Sequence, residues 1–224
     1  MDQNQFDVKN AISGVLVVDK PIGMTSHDVV QVIRNGTKIR RAGHTGTLDP
    51  RASGVLVVLV GPAVRLSEYI SASDKRYQAI VRMGATTDTY DEEGKITTSS
   101  SVEITEAQFE ESLKQFVGEI EQVPPVFSAL HVDGQRSYKL ARAGQLKSPE
   151  ARRVTVFSLK VARVSENSLD FTVVCSKGTY IRALARDLAL ALGTVGFLSR
   201  LTRTRIGPHT LQEAIEVTAL PQMF

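Results

Sequence analysis

At 224 residues, with 42% hydrophobic and 23% charged, the chain has the make-up of an ordinary globular protein and can form one large domain or two small ones. Its single cysteine, Cys175, excludes a disulfide framework and a thiolate zinc site. The polar start Met1–Gln5 lacks a signal-peptide pattern and no apolar run approaches a membrane span, so the cytosol is the expected compartment. The net charge of +3 hides segregation: residues 88–121 hold ten acids and two bases, while residues 134–205 hold fourteen bases and four acids. A basic face for a polyanion and a solvated surface whose segments intermingle on folding are both open readings.

Taken in order, Gly14–Val18 is an apolar, β-branched first strand, ended by Lys20-Pro21-Ile22-Gly23. Thr25 or Ser26 caps a helix bearing Val29, Val30 and Ile33 on one face and stopping near Gly36. Val55–Val60 reads as a strand buried on both faces, and Pro62 opens a short helix through about Ile70. Arg76–Met83 alternates like a half-buried strand, with Tyr77, Ala79, Val81 and Met83 on one side. Thr86–Gly94 reads as an acidic loop, and Thr105-x-x-Gln108 opens a helix that ends at Gly118. Pro124-Pro125 breaks the chain, Asp133-Gly134 is a hairpin turn, and a short helix covers about Ser137–Ala143. Two strands follow, near Val154–Val164 and Leu169–Ser176, then a helix from about Tyr180 to Leu192 and a strand over Gly196–Ile206. Cys175, beside Val173 and Val174, reads as a buried strand residue. Nothing repeats and no linker divides the chain. The expectation is one α+β domain over residues 1–224, built around a large mixed sheet flanked by helices and loops.

Several chemistries lack their apparatus. The chain has no phosphate-loop motif, no dinucleotide fingerprint and no nucleophile elbow, and His27, His44, His131 and His209 are scattered without metal-pair spacing. An enzyme built from these residues would work without cofactor or metal, by acid–base or carboxylate chemistry.

Two places invite that chemistry. Gly43-His44-Thr45-Gly46-Thr47-Leu48-Asp49-Pro50-Arg51-Ala52-Ser53-Gly54 sets one carboxylate in a glycine-punctuated loop before the apolar strand. The residue before proline is pushed toward extended backbone, so Asp49 lies outside a helix, either as a fixed catalytic acid or as an ordinary Asp-Pro turn. Arg182 falls in the first turn of its helix, where a cation opposes the helix dipole by ~0.3–1 kcal/mol. Either a carboxylate partner accounts for it or it points to solvent.

These pieces together resemble the TruB-type tRNA pseudouridine synthases, over nearly all of the chain, from Lys20 to Gly207. They stand in family order: Lys20-Pro21-x-Gly23-x-Thr25-Ser26; Gly43 to Pro50; Asp74-Lys75-Arg76-Tyr77; Thr87-Asp88-Thr89-x-Asp91; Pro124-Pro125-x-Phe127-Ser128-Ala129; Ser176-Lys177-Gly178-Thr179-Tyr180-Ile181-Arg182; and Leu201-x-Arg203-Thr204. The resemblance implies the pseudouridine synthase fold with a mainly antiparallel sheet. It implies isomerisation of uridine to pseudouridine at position 55 in the T-arm of tRNA. Asp49 matches the catalytic aspartate, which either attacks C1′ or takes a proton from C2′, and Arg182 would keep it ionised. Tyr77 matches a residue stacked on the target base and a late proton acceptor. Tyr180 also matches a nucleotide contact, His44 an RNA contact that helps displace the nucleotide, Leu201 an apolar wall of the uracil pocket, and Lys20 a lysine near the site. Asp88 is a weaker match, in a loop that would order against RNA. Arg142, Lys147, Arg152 and Arg153 become candidates for RNA backbone contacts. The expected partner is the tRNA T-arm stem-loop, with no membrane and no obligatory protein partner. The small C-terminal RNA-binding (PUA-type) domain of many members is expected to be lacking, and His209 stands where an aromatic is commoner. The rival readings are an RNA-binding or tRNA-folding protein, and a guide-dependent synthase like dyskerin.

Overall fold

The structure is a computed structural model that describes residues 12–101, 112–127, 131–132, 135–136, 149–165 and 167–223. The chain forms two compact units, Met1–Tyr77 with Thr202–Phe224, and Gln78–Leu201. Both contain sheet with few helices, and the described strands include antiparallel and parallel pairings, which is the expected α+β class with a mixed sheet.

In the first unit, β1 (Gly14–Lys20) lies antiparallel to β3 (Ala52–Val60), from Gly14↔Val60 to Lys20↔Gly54. A short β2 (Ala42–His44) also pairs with β3, and β14 (Ile215–Glu216) adds to β1 in parallel. The apolar run of β3 is buried on both faces because two separate cores use it. Leu56, Val58 and Val60 pack with Val18, Val29, Val30, Ile33 and Leu220, while Val55, Val57 and Leu59 pack with Ala63 and Ile206. Helix α1 (Ser26–Thr37) starts at Thr25, whose hydroxyl accepts from the Asp28 amide while the Asp28 carboxylate accepts from the Thr25 amide. This reciprocal cap satisfies two donors that a helix start leaves free. The helix runs one residue past Gly36, because Lys38 (φ 59°) takes the left-handed terminating conformation that glycine was expected to supply. A 3₁₀ turn (Gly61–Leu66) and α2 (Ser67–Ala72) follow where Pro62 predicted a helix. The strand β4 (Lys75–Met83) then buries Tyr77, Ala79, Val81 and Met83 in strict alternation.

In the second unit the stretch after β4 is a hairpin, with the expected acidic loop as its tip and Thr86 and Thr87 in a strand. β5 (Ala85–Thr87) pairs with β6 (Ile96–Ser99), and residues 88–94 form its tip. Alternation in so short a threonine-rich segment was too weak to read against its charges. Gly118 does not simply end a helix: with φ 105° it begins β7 (Gly118–Gln122), which the sequence reading missed. Residues 112–114 are helical, whereas the cap at Thr105 and the proposed helix Ser137–Ala143 lie outside the described residues. The hairpin around Asp133-Gly134 shows as β8 (His131–Val132) paired with β9 (Gln135–Arg136). β10 (Arg152–Ser165) lies between β7 and β11 (Ser168–Cys175), both antiparallel to it. β11 buries Leu169, Phe171, Val173 and Cys175, so the thiol is a core side chain. Helix α3 (Ile181–Ala191) buries Ile181, Leu184, Ala185 and Leu188, the stripe read from its spacing. β12 (Gly196–Ile206) has the predicted bounds; from Thr202 the chain belongs to the first unit again, and the strand's end turns back into β13 (His209–Thr210). Among the described residues, no helix is long and apolar enough to cross a membrane.

Candidate active site

Asp49 sits in the extended connection between β2 and β3, half-buried. Its loop is fixed from three sides. The Ser26 hydroxyl, at the start of α1, accepts from the Leu48 amide at 2.8 Å and donates to the Leu48 carbonyl at 3.1 Å. The Gly23 amide donates to the Pro50 carbonyl at 2.8 Å, and the Ala52 amide closes the turn onto the Asp49 carbonyl at 3.0 Å. Beneath it lies Arg203, 1% exposed, whose guanidinium donates to the carbonyls of Val55 (2.8 Å), Gly46 (3.0 Å) and Thr47 (3.4 Å). A rigid planar fork can hold several backbone oxygens at once, which suits it to fixing a loop by its carbonyls. Gly54 (φ 104°) is required at this point, because a Cβ there would collide with the backbone of Arg203.

Two further side chains in this unit share the electrostatics of the loop. Lys20 is fully buried at the end of β1 and donates to the carbonyls of Pro21 (2.9 Å) and Met24 (2.7 Å). Burial pushes its ammonium down to about 8, with Asp49 opposing that shift and Arg203 adding to it. Lys20 is therefore a buried cation that interacts electrostatically with Asp49. His44 ends β2 opposite Val58, half-buried. Burial first, then the charges of Arg203 and His27, hold it below the usual imidazole range, so it is neutral at pH 7. Its Nδ1 is buried without a hydrogen-bond partner among the described residues, a spare capacity next to the Asp49 loop. Tyr77, 8% exposed, belongs to the same unit on the buried face of β4.

The other matched residues belong to the second unit. Tyr180 is the N-cap residue of α3 and has no side-chain cap of its own. Gln122, 1% exposed at the end of β7, takes that place: its Oε1 accepts from the Tyr180 amide at 2.7 Å and its Nε2 donates to the Tyr180 carbonyl at 3.0 Å. Arg182 is 7% exposed and donates to the carbonyls of Thr89 (3.1 Å) and Phe127 (3.0 Å). Asp91 faces it at 3.2 Å, with both side chains largely buried. Asp91 is in turn held by the Thr89 hydroxyl (2.5 Å) and the Glu93 amide (3.0 Å). Here is a carboxylate partner for the cation that the helix dipole disfavours, at the tip of the β5–β6 hairpin. One turn further along α3, Arg186 lies 4.8 Å over the Tyr90 ring, so two arginines at i and i+4 grip the same tip. Leu201, 9% exposed, sits on the buried face of β12.

The expected RNA-backbone contacts fare differently. Arg152 is turned inward, donating to the Gly178 carbonyl at 2.6 Å and lying 4.5 Å over the Tyr180 ring. Arg153 is exposed beside Glu119 and Glu121, so the acidic and basic segments do intermingle there. Arg142 and Lys147 lie outside the described residues. Asp88 serves its own turn, accepting from the Lys95 amide at 2.9 Å.

Three residues beyond the predicted set thus shape these sites: Arg203, Asp91 and Gln122. Arg203 carried a signal, since it occupies an inward position of an alternating strand. Asp91 stood inside the matched motif Thr87-Asp88-Thr89-x-Asp91 but among ten acids, and Gln122 carried no signal because it lies in a strand the sequence hid.

Solved structures share this architecture. A chain of a Cbf5-Nop10-Gar1 complex superposes with a TM-score of 0.73 at 31% identity, covering 93% of this chain and 54% of that one. A chain of an H/ACA RNP bound to a substrate RNA containing 2′-deoxyuridine gives 0.70 at 27%, covering 98% of this chain and 56% of that one. This chain thus spans about half the length of those structures. Residues 34–181 match the TruB family pseudouridylate synthase (N terminal domain). Curated relatives named tRNA pseudouridine synthase B are 46% identical over 212 residues in Aromatoleum aromaticum and 43% over 216 residues in Pseudomonas aeruginosa. The alignments cover 95% and 96% of this chain, and 69% and 71% of those relatives. The chain belongs to the TruB family of pseudouridylate synthases, and it is an isomerase of that class.

Proposed function

We propose that this protein isomerises a uridine of tRNA to pseudouridine, at position 55 in the T-arm, with Asp49 as the catalytic carboxylate. The observation that carries the reading is the immobilised Asp49 loop. Ser26, Gly23 and Arg203 hold its backbone while Lys20 supplies a buried positive charge that interacts with Asp49. A binding protein needs no such restraint on one acid, whereas a group that must meet C1′ or C2′ of a ribose does.

The reaction detaches uracil from C1′, turns it, and rejoins it through C5, with the C5 proton leaving last. Asp49 either attacks C1′ or removes a proton from C2′ to give a glycal. Both routes need the ionised acid, and keeping it so is the role the reading gives Arg182. Flipping the nucleotide out of its stack costs a few kcal/mol, offset in part by an aromatic face. Tyr77 takes that face and accepts the late proton; Tyr180 contacts the nucleotide and Leu201 walls the base. Neutral His44, with its unpartnered Nδ1, hydrogen-bonds RNA at the loop.

The relatives' name and their higher identity favour tRNA over a guide-dependent substrate. The test is incubation of an unmodified T-arm transcript, with no guide RNA or protein added, and a pseudouridine assay at every uridine. Wild type converts one loop position; Asp49→Asn converts none yet binds the RNA. Equal conversion by that variant rejects Asp49 as the catalytic group.

A further inference from the structure

The grip on Tyr180 is a separate construction from the Asp49 loop. In the ladder between β10 and β7, Arg152 stands directly opposite Gln122. Paired residues of an antiparallel ladder share one face, and here both side chains reach the same target. Gln122 takes the Tyr180 backbone through its amide N–H and carbonyl, as a neighbouring strand would. Arg152 takes the ring, 4.5 Å from its centroid, and ties down the Gly178 carbonyl two residues before it.

Neither arrangement is explained by fold stability alone. Gln122 is an uncharged amide buried to 1% exposure, which is unfavourable unless both ends are satisfied, and Tyr180 satisfies both. α3 has no capping side chain, so a Ser or Asp at position 180 would serve the helix better than this borrowed cap. Pro124 and Pro125, buried just after β7, stiffen the strand end that carries Gln122. Arg152 was expected to meet RNA phosphate, but its guanidinium is engaged with Gly178 and Tyr180, and its Nε is buried without a hydrogen-bond partner among the described residues.

The geometry points to Gln122 and Arg152 as positioning residues for Tyr180: the cross-strand pair sets the orientation in which the phenol ring meets the target nucleotide. This rests on the reading of Tyr180 as a nucleotide contact. Gln122 fixes where the ring leaves the backbone, and the planar guanidinium limits its rotation by stacking. A lysine at 152 would keep the charge and lose the flat surface.

The test uses single-turnover conversion of the unmodified T-arm transcript by the full chain, with its rate constant and the RNA concentration at half-maximal rate measured separately. Arg152→Lys lowers the rate constant about tenfold and leaves the half-maximal concentration within about twofold, because a precise contact is lost and not a charge. Gln122→Met does the same. If that variant fails to fold, the half-exposed Arg152 still decides the matter. Introduced into a Tyr180→Ala background, Arg152→Lys has no further effect, since residues acting through one another are not additive. A purely structural role would subtract again in that background, and would overturn the proposal. So would a wild-type rate in Arg152→Lys, or, in Arg152→Met, a loss confined to the half-maximal concentration with a salt slope reduced by about one, the signature of a phosphate contact. Failure of the underlying reading looks different: Tyr180→Ala by itself then converts RNA at the wild-type rate.

Discussion

Replacing Arg203 by methionine deletes the donors that hold the carbonyls of Val55, Gly46 and Thr47, at 2.8, 3.0 and 3.4 Å. Hydrogen bonds from a charged donor contribute ~1.5–3 kcal/mol each. The Thr47 bond is long and Thr47 is exposed, so water replaces it at little cost. The Val55 carbonyl belongs to a residue with no exposure, and the Gly46 carbonyl to a half-buried one, so two bonds count. Against them, a buried cation gives way to an apolar chain of similar volume, which recovers ~1–2 kcal/mol. The net expectation is a loss of ~2–4 kcal/mol, or ~5–15 °C in Tm for a chain of this size. Urea unfolding followed by circular dichroism measures the first quantity, and single-turnover conversion of the T-arm transcript measures what the loop's displacement does. A shift of about 1 Å in a catalytic group costs ~100-fold in rate. Arg203→Lys keeps the charge but cannot reach two carbonyls in a fixed fork, so it falls between the two. A stability change under ~1 kcal/mol together with a rate within twofold of wild type would refute the idea that Arg203 fixes the Asp49 loop.

Asp91→Asn keeps acceptors for Thr89 and Glu93 but removes the carboxylate charge 3.2 Å from Arg182; breaking a buried pair costs ~3–5 kcal/mol, and the retained hydrogen bonds bring the expectation to ~2–3. Its turnover falls ~10–100-fold, and wild-type kinetics would show that Arg182 does not depend on Asp91. Gly54→Ala combines a disallowed φ with a backbone collision and destabilises by ~3 kcal/mol or more, a Tm within a few degrees of wild type being the contrary result. For Lys20, burial lowers the ammonium from 10.5 to about 8. Between those values the unfolded chain holds a proton the folded chain lacks, so the group penalises folding fully below about pH 8 and less as pH rises toward 10.5. The stability of wild type relative to Lys20→Met therefore rises across that window, and a flat difference from pH 7 to 10 would remove the claim. A further check on the acid is Asp49→Asn, expected to bind the transcript without converting it.

Elements with one dominant local signal were legible from sequence. The α1 cap needs only Thr25 and Asp28 at the right spacing, and α3 needs only its apolar stripe. Asp49 outside a helix follows from Pro50, and the burial of both faces of β3 from six consecutive apolar residues. What escaped was short or held by distant partners. β2 has three residues and β14 two, so neither has a period to detect, and each exists because a longer strand offers its edge. β7 was masked by the preceding helix pattern and its start at Gly118, a residue that serves a helix end and a positive-φ strand entry alike.

Sequence by itself settled which residue types the chemistry can draw on and where the carboxylate stands in the chain: proline geometry, glycine freedom and hydrophobic run length are local properties, written in neighbours. Tertiary structure decided what each charge faces. That Arg182 meets Asp91, that Arg152 covers Tyr180 instead of awaiting phosphate, and that Arg203 lies beneath the Asp49 loop depend on contacts spanning tens to more than a hundred residues. A guanidinium has no period and no preferred neighbour in sequence. Only the packing that removes water from around it determines which carbonyl or carboxylate must take water's place.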